Sequence, residues 1–348
     1  MGRTILNDSL YAFKTAIKVA QRGDTWIIYD QATVLSETAY AIHAAAPESS
    51  ISIFNDGTLV SRQDYAVRLD GVNNFIVNTE TGAITGWGGI KAGPQSKVSN
   101  EGSIITYSET RPAIQIDSWG SSGGPAHIDN SGTIGGATAI RAKGGAALHV
   151  TNDGTITGLI TLGAGNDRIS SYGIIDGEVR LGGGRDVFIG TGGDAVSVDG
   201  GRGRDLIVGG DGADHLVGGR GRDKLYGGGG DDTLVGCYGR DVLEGGGGSD
   251  TFVFLNTKGV DRVRDFTVGE DSIQLSSAVF RKLGAKGELS ADAFQLGSRA
   301  DDAEDRVIYD PRSGLLKYDA NGDAAGGTKV IAKLAPGLDL THGHFEII

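Results

Sequence analysis

Residues 200–253 consist of six consecutive nonapeptides: GGRGRDLIV, GGDGADHLV, GGRGRDKLY, GGGGDDTLV, GCYGRDVLE and GGGGSDTFV. Each repeat opens with a glycine-rich turn, carries Asp at position 6 and has an apolar residue at position 8. Glycine allows the positive φ angles of tight turns, and a short segment with a single inward apolar residue is typical of a strand. The pattern predicts a β-solenoid in which two nonapeptides form one coil.

The repeated Asp points to a bound divalent cation. Stacked coils would place these carboxylates in two columns, about 4.8 Å apart from one coil to the next. Like charges at this separation destabilise a fold unless a cation lies between them, and Ca²⁺ accepts carboxylate and carbonyl oxygens with flexible geometry. Two further matches upstream, LGAGNDRIS and LGGGRDVFI, join the first column. The predicted columns are Asp167, Asp186, Asp205, Asp223 and Asp241, and Asp214, Asp232 and Asp250.

These tandem repeats resemble the RTX (repeats-in-toxin) family of hemolysin-type calcium-binding proteins, which are exported by type I secretion systems. The resemblance implies that each ion takes carbonyls from positions 2 and 4 and the Asp of one coil, and carbonyls from positions 1 and 3 and the Asp of the next. Positions 2 and 4 are Gly163, Gly165, Gly182, Gly184, Gly201, Gly203, Gly210, Gly212, Gly219, Gly221, Gly228 and Gly230. Positions 1 and 3 are Gly200, Arg202, Gly218, Arg220, Gly227, Gly229, Gly236, Tyr238, Gly245 and Gly247. The gaps within the two columns predict about six Ca²⁺ ions.

The C-terminal segments SDTFVF, DRVRDF, GEDSIQLS, DRVIYDPRSGLLKYDANGD and HGHFEII resemble the C-terminal domain of serralysin-type proteases. That domain carries an uncleaved secretion signal, so the resemblance implies contact with type I secretion machinery and a location outside the cell or at its surface. Asp319, Asn321 and Asp323 have the D-x-N-x-D spacing of a calcium loop, with a β-turn as the alternative.

A second repeat lies upstream, between about residues 51 and 158. An Asn followed by a turn and an apolar residue recurs at Asn55, Asn100, Asn130 and Asn152, with a looser copy at Asn78. Alternating apolar residues precede each Asn, and the copies are 22 to 30 residues apart. Period-2 alternation within a longer period predicts a parallel β-helix whose Asn side chains stack. Residues 117–125 are an insertion, expected as an exposed loop.

At the N-terminus, Asp8–Arg22 has helical spacing of apolar residues between an Asn/Asp cap and Gly23, followed by GDTWII as the expected first strand. The predicted fold is therefore all-β: a right-handed parallel β-helix continuing into an RTX calcium β-roll, with a short capping helix. Its predicted parts are residues 1–50 (cap and first strands), 51–160 (β-helix), 161–255 (roll) and 256–348 (β-rich segment with the secretion signal).

The formal charge of −12 disfavours nucleic acid and anionic membranes as partners, and about six Ca²⁺ ions would neutralise it. The sequence contains no run of about 20 apolar residues, so no membrane span is predicted. A single Cys forms no internal disulfide, and the first residues lack the apolar run of a signal peptide, which favours export through a C-terminal signal.

The histidines give no support to a catalytic motif. None of the six His lies in H-E-x-x-H, so protease activity is not expected. His127 and His149 occupy the same position of successive coils, either as a solvated column or as a metal pair. We predict a non-enzymatic, secreted structural or adhesive protein, such as a surface-layer, matrix or filament subunit, that folds on binding Ca²⁺. The alternative is a polysaccharide lyase or epimerase-like enzyme on a β-helix.

Two surfaces suggest partners. Position 5 is basic at Arg185, Arg204, Arg222 and Arg240, and Arg202 and Arg220 add charge from position 3. These side chains would either pair with carboxylates across the turns or form an anion track for acidic polysaccharide or lipopolysaccharide. The unpaired strand edges at the ends of a solenoid also predict head-to-tail assembly of copies of this chain.

Overall fold

The computed structural model describes residues 3–6, 10–12, 17–18, 24–29, 32–45, 50–117, 124–324 and 326–348. The chain forms two compact units, Met1–Gly192 and Gly193–Ile348, so the boundary falls inside the predicted segment 161–255. Within the described part, helix is confined to two short 3₁₀ turns, Ala291–Ala293 and His342–His344. No described helix has the length and apolar character that a membrane crossing requires. The protein is nearly all-β, and parallel strands dominate both units.

The first unit contains two ladders of parallel strands. Its strands are, in chain order, β1 (Arg3–Leu6), β2 (Leu10–Ala12), β3 (Ile17–Lys18), β4 (Thr25–Ile28), β5 (Thr33–Ser36), β6 (Ile42–Ala44), β7 (Ser52–Asn55), β8 (Thr58–Leu69), β9 (Phe75–Asn78), β10 (Ala83–Ala92), β11 (Lys97–Asn100), β12 (Ser103–Thr106), β13 (Ile114–Asp117), β14 (Ala126–Asn130), β15 (Thr133–Lys143), β16 (Leu148–Asn152), β17 (Thr155–Thr161), β18 (Arg168–Ser171), β19 (Ile174–Asp176), β20 (Glu178–Arg180), β21 (Gly183–Gly184) and β22 (Val187–Gly190). One ladder stacks β4, β7, β9, β11, β14, β16, β18 and β22 in register. In the other ladder, each long strand pairs with two shorter strands: β8 with β5 and β6, and β10 with β12 and β13.

The core of the first unit is a column of β-branched side chains. Ile53, Ile76, Val98, Ile128 and Val150 occupy the same position of five successive coils, and each is at most 1 % exposed. Burying one such side chain stabilises a fold by about 1.5–3 kcal/mol. Because neighbouring residues point to opposite faces of a strand, this column fixes the register of the whole ladder.

A buried ladder of amides runs beside that core. Asn55, Asn78, Asn100, Asn130 and Asn152 are at most 2 % exposed. Each donates from Nδ2 to Oδ1 of the next, at 2.7, 2.8, 2.7 and 2.7 Å. Asn152 then donates to Oγ of Ser171, at 3.0 Å, where the Asn repeat ends. The predicted β-helix with stacked Asn side chains is confirmed.

The predicted N-terminal helix is wrong where the structure describes it. Within Asp8–Arg22, residues Leu10–Ala12 and Ile17–Lys18 are strands that pair in parallel with β5 and β6. The other residues of that range lie outside the described part. A lone helix of about 15 residues is marginal in water, whereas a neighbouring strand satisfies the backbone along its length. The segment TWII is the strand β4, and β1 precedes it as its parallel partner. Most of the predicted insertion loop, residues 118–123, lies outside the described residues.

The second unit is also built from parallel strands, with shorter coils. Its strands are β23 (Ser197–Asp199), β24 (Arg202–Gly203), β25 (Leu206–Gly210), β26 (His215–Gly221), β27 (Lys224–Gly229), β28 (Thr233–Gly239), β29 (Val242–Gly247), β30 (Thr251–Phe254), β31 (Asp261–Val263), β32 (Ser272–Leu275), β33 (Gly287–Glu288), β34 (Phe294–Leu296), β35 (Val307–Asp310), β36 (Leu315–Asp319), β37 (Thr328–Lys333) and β38 (Phe345–Ile347). The ladders β25–β27–β29–β31 and β26–β28–β30–β32–β38 are parallel, with an offset of 18 residues within the repeats. Position 8 of every nonapeptide points inward and is fully buried, as at Leu225 and Leu234.

After the repeats, the second unit gains a conventional hydrophobic core. The strands β35, β36 and β37 form an antiparallel meander, and β37 also pairs with β31. Phe280, Tyr309 and Phe345 are fully buried there. The roll therefore ends against a segment that buries several large side chains, whereas the six nonapeptides bury one, Phe252.

Candidate calcium sites

The turn that precedes each short strand places its Asp inside the roll. All eight Asp residues of the two predicted columns are 0–2 % exposed, although each belongs to a glycine-rich turn. Position 2 of these turns requires a positive φ, which Gly219 (95°), Gly228 (119°) and Gly246 (106°) supply. Cys237 occupies the same position with φ 67°, a left-handed conformation that disfavours any side chain.

The carboxylates stack in two columns, each bonded to the coil before it. In the first unit, the backbone N–H of Asp167 donates to Oδ1 of Asp186, at 2.7 Å. In the second unit, the same bond joins Asp205 to Asp223, and Asp223 to Asp241, at 2.9 and 2.8 Å. The other column repeats it from Asp214 to Asp232 and from Asp232 to Asp250, at 2.8 and 3.0 Å.

Both columns extend one residue beyond the repeats, which the sequence reasoning missed. Asp241 donates to Oδ1 of Asp261, and Asp250 to Oδ1 of Asp271, each at 3.0 Å. The offsets are 20 and 21 residues instead of 18, so neither residue lies in a nonapeptide. The signal was present in the sequences DRV and DSI, where Asp stands two residues before a buried apolar side chain, as in the repeats.

The second carboxylate oxygen is left without a hydrogen-bond donor. Oδ2 is buried and unbonded within the described part of the chain at Asp167, Asp214, Asp223, Asp232 and Asp241. A buried polar atom without a partner costs about 1–3 kcal/mol, and more when it is charged. An orphaned oxygen repeated at these five positions indicates that a partner other than a protein donor belongs there.

Other oxygens converge on the same points. A Cβ built on Gly218 would lie 2.9 Å from Oδ2 of Asp223 and 3.0 Å from the carbonyl oxygen of Gly236 in the next coil. One built on Gly236 would lie 2.9 Å from Oδ2 of Asp241 and 3.2 Å from Oδ2 of Asp261. Oxygens from successive coils thus line a space that glycine keeps open. A set of carboxylate and carbonyl oxygens is what Ca²⁺ prefers, so the residues fit the ion.

Burial also changes the acidity of the columns. Desolvation first, and the charges of neighbouring Asp residues in the same column second, raise the pKa of Asp223 and Asp232 to about 7. For Asp214 and Asp250, desolvation likewise raises the pKa to about 6. Without a cation, these carboxylates would therefore hold protons close to neutral pH. A cation in each gap removes the penalty of ionising them.

The backbone of the turns takes part in the strand ladder and also supplies the carbonyls that are predicted to bind calcium. Positions 2 to 4 pair in register from coil to coil, as Arg202 with Arg220 and Gly228 with Gly246. The carbonyl of Gly201, a predicted ligand, accepts the N–H of Arg220 at 2.7 Å. A carbonyl oxygen has two lone pairs, so this bond leaves one for a cation. Which carbonyls hold the ion stays a prediction.

The predicted calcium loop near the C-terminus forms a turn in the structure. Oδ1 of Asp319 accepts the N–H of Asn321 at 3.1 Å, and its other oxygen accepts the hydroxyl of Thr328. Asp319 is buried, whereas Asn321 and Asp323 are exposed. The geometry is that of an Asx turn, the alternative raised by the sequence. Nearby, Asp301, Asp302 and Asp305 cluster through their own backbone bonds.

The histidine pair of the first unit lies in register on β14 and β16. The rings of His127 and His149 are 5.2 Å apart, edge to face. Burial, His127 and Arg168 lower the pKa of His149. Lys97 and Arg168 flank the pair along the ladder, and the ammonium of Lys97 is paired with the carboxylate of Asp129 at 2.7 Å.

Comparison with known proteins agrees with this geometry. Residues 197–225 and 226–254 match the family of the RTX calcium-binding nonapeptide repeat (4 copies). No curated protein matches the chain. The matched residues contain six of the stacked carboxylates and most of the glycine-lined spaces described above. The chain is therefore a calcium-binding β-solenoid protein with RTX repeats of the hemolysin type.

Proposed function

We propose that this protein is a secreted structural or adhesive β-solenoid, such as a surface-layer, matrix or filament subunit, whose roll folds outside the cell when Ca²⁺ binds. The observation that carries the proposal is the row of buried Oδ2 atoms without donors. Such a row destabilises the roll in the absence of a cation and becomes a set of ligands in its presence. The fold of this region is thereby tied to the calcium concentration.

The size of the effect suits a switch between compartments. With a Kd of about 0.1 mM and about 1 mM external calcium, each site contributes roughly 1.4 kcal/mol. The second unit has three carboxylate gaps in each column, from Asp205 to Asp261 and from Asp214 to Asp271. About six sites would contribute about 8 kcal/mol, which is comparable to the stability of a whole domain. In calcium-poor cytosol the repeats would stay unfolded, as passage through type I secretion machinery requires.

The way the chain uses its polar residues supports the proposal of a non-catalytic role. The described coils commit their polar side chains to structural ladders, the Asn ladder in the first unit and the Asp columns in both. Such a solenoid offers long regular surfaces and open strand edges at its ends. We infer that copies stack head to tail through these edges into filaments or sheets once calcium has ordered the roll.

Limited proteolysis tests calcium-dependent folding in the region concerned. Exposed arginines lie in the repeats, among them Arg204, Arg222 and Arg240, so trypsin reports directly on the roll. We expect cleavage within residues 200–253 in chelator and protection at millimolar Ca²⁺, with matching gain of β-sheet circular dichroism. Mg²⁺ should not protect, because it demands stricter geometry and keeps its water. Equal protection in chelator and in calcium would refute the proposal.

A further inference from the structure

We propose that one edge of the second unit binds an acidic polysaccharide, whose carboxylates lie along two columns of arginine. This inference names a partner for the proposed adhesive role and therefore rests on it. We call this surface the basic edge, and it comprises Arg202, Arg204, Arg220, Arg222, Arg240 and Lys258. All six side chains are exposed.

The coil register builds the basic edge. Positions 3 of successive coils pair as Arg202, Arg220 and Tyr238, and the position 5 arginines each precede an Asp of one column. Lys258 extends the edge past the repeats: its ammonium lies 5.7 Å from the ring centre of Tyr238, and the guanidinium of Arg220 lies 5.7 Å from the same ring. The N–H of Lys258 donates to Oδ1 of Asn256, at 2.7 Å, which holds this loop in place.

These cations have no acidic partner within the described part of the chain. No ion pair of the structure involves any residue of the basic edge. The pairing across the turns that the sequence allowed is therefore not formed among the described residues. The opposite edge carries no cation at the equivalent positions, which are occupied by Asp211, Gly229, Gly247, Ala213, Asp231 and Ser249. The charge is thus confined to one edge of the roll.

A basic cavity adjoins the end of this edge. Its volume is about 480 Å³, and its lining begins at Thr257, next to Lys258. Arg281, Lys282 and Lys329 line it, all exposed, and no carboxylate is found among the described residues of its lining. The N–H of Lys282 donates to the hydroxyl of Tyr318 at 3.2 Å, which fixes the wall. The cavity thus adds three cations to those of the basic edge, on a protein of net charge −12.

The chemistry of the edge favours a carboxylated sugar chain. Guanidinium groups bind carboxylates through two parallel hydrogen bonds. The rows repeat at the strand spacing of about 4.8 Å, which is close to the length of one sugar unit in a polyuronate. Tyr238 is 46 % exposed and adds an aromatic ring to the edge, next to Arg220 and Lys258. Single-stranded nucleic acid would instead need a series of aromatic side chains for successive bases.

Binding of a fluorescent, short oligogalacturonate to the full chain in Ca²⁺ tests the proposal by anisotropy. We expect Arg222→Gln/Arg240→Gln to weaken binding about tenfold, as the loss of two charge-assisted contacts predicts. The matched control is Lys224→Gln/Arg262→Gln, which removes the same charge from the face of the ladder β27–β29–β31 and should leave affinity unchanged. The fully methyl-esterified oligomer should not bind.

Three results would overturn the inference: equal loss in both double variants, single-stranded DNA binding as tightly per charge, or no binding at all to a folded roll. The inference would also fail if the variant Arg222→Gln/Arg240→Gln lost self-association, measured by sedimentation, but kept its oligogalacturonate binding. The edge would then contact a second copy of the chain. Trypsin protection is recorded in the same samples. A roll that is folded regardless of calcium would refute the proposed function alone, since the basic edge is present whenever the roll is folded.

Discussion

Replacing Asp223 by Asn should stabilise the roll without calcium and destabilise it with calcium. The amide keeps an oxygen where Oδ1 accepts the N–H of Asp205, at 2.9 Å, so the ladder bond survives. What changes is the charge, which burial penalises so strongly that the pKa of Asp223 rises to about 7. Asp223→Asn therefore separates the cost of the buried carboxylate from its role as a ligand.

The expected magnitudes differ in sign. In chelator at about pH 8, removing an ionised group whose pKa is raised by about 3 units gains up to about 4 kcal/mol. In about 1 mM calcium, the variant loses a ligand from the gaps on both sides, which costs about 3 kcal/mol for two sites. A neutral amide also weakens each of those gaps as a place for a divalent cation.

Urea titration followed by circular dichroism, in calcium and in chelator, measures both effects. Where the calcium-free roll is unfolded, the midpoint of folding induced by an excluded osmolyte replaces the urea midpoint. Asp211→Asn is the control, because it removes an exposed carboxylate outside both columns and should change neither value by more than about 0.5 kcal/mol. Destabilisation of Asp223→Asn in both media would refute the reasoning.

Three further outcomes are expected. In chelator, the free energy of unfolding of the second unit should fall as the pH rises from about 4 to about 7, because the folded state binds protons at carboxyls whose pKa is raised. In calcium, the free energy of unfolding should rise over the same range. Acid and base titrations under both conditions test this. Asn100→Ala should lower the free energy of unfolding, measured by urea titration, by about 3 kcal/mol, because the amides of Asn78 and Asn130 lose their hydrogen bonds to Asn100. Lys97→Ala, on the outer face of the same strand, should change it little. Cys237→Gly should raise the urea midpoint by relieving about 1 kcal/mol of strain at φ 67°, and an unchanged midpoint would contradict that account.

The repeats could be predicted because every local requirement in them recurs. Gly219 adopts a positive φ, Asp223 supplies a buried oxygen, and Leu225 supplies an apolar side chain that points inward. Residues of these three kinds recur at the same positions of the repeats. The spacing alone therefore gave the columns and their register. The Asn ladder followed from the same logic, since Asn78 and Asn100 end strands of equal phase.

Features without repetition were missed or mistaken. Asp261 and Asp271 complete the columns, but insertions shift them out of phase, and only the three-dimensional ladder shows their role. At the N-terminus, the spacing of Leu10 and Ile17 suits a helix as well as two strands, and pairing with β5 and β6 decides between them. Local pattern does not contain that information, because the competing partner is distant in sequence.

The bonds within the Asp columns have a direction. Each runs from a backbone donor on one coil to a carboxylate on the coil that follows, so the two ends of the roll are not equivalent. At the C-terminal end, the acceptors Asp261 and Asp271 belong to a segment that buries Phe280 and Tyr309. A repeat coil contributes only two inward apolar residues and has little capacity to nucleate alone. We therefore expect the C-terminal segment to act as the template, with coils added to it one after another toward the N-terminus.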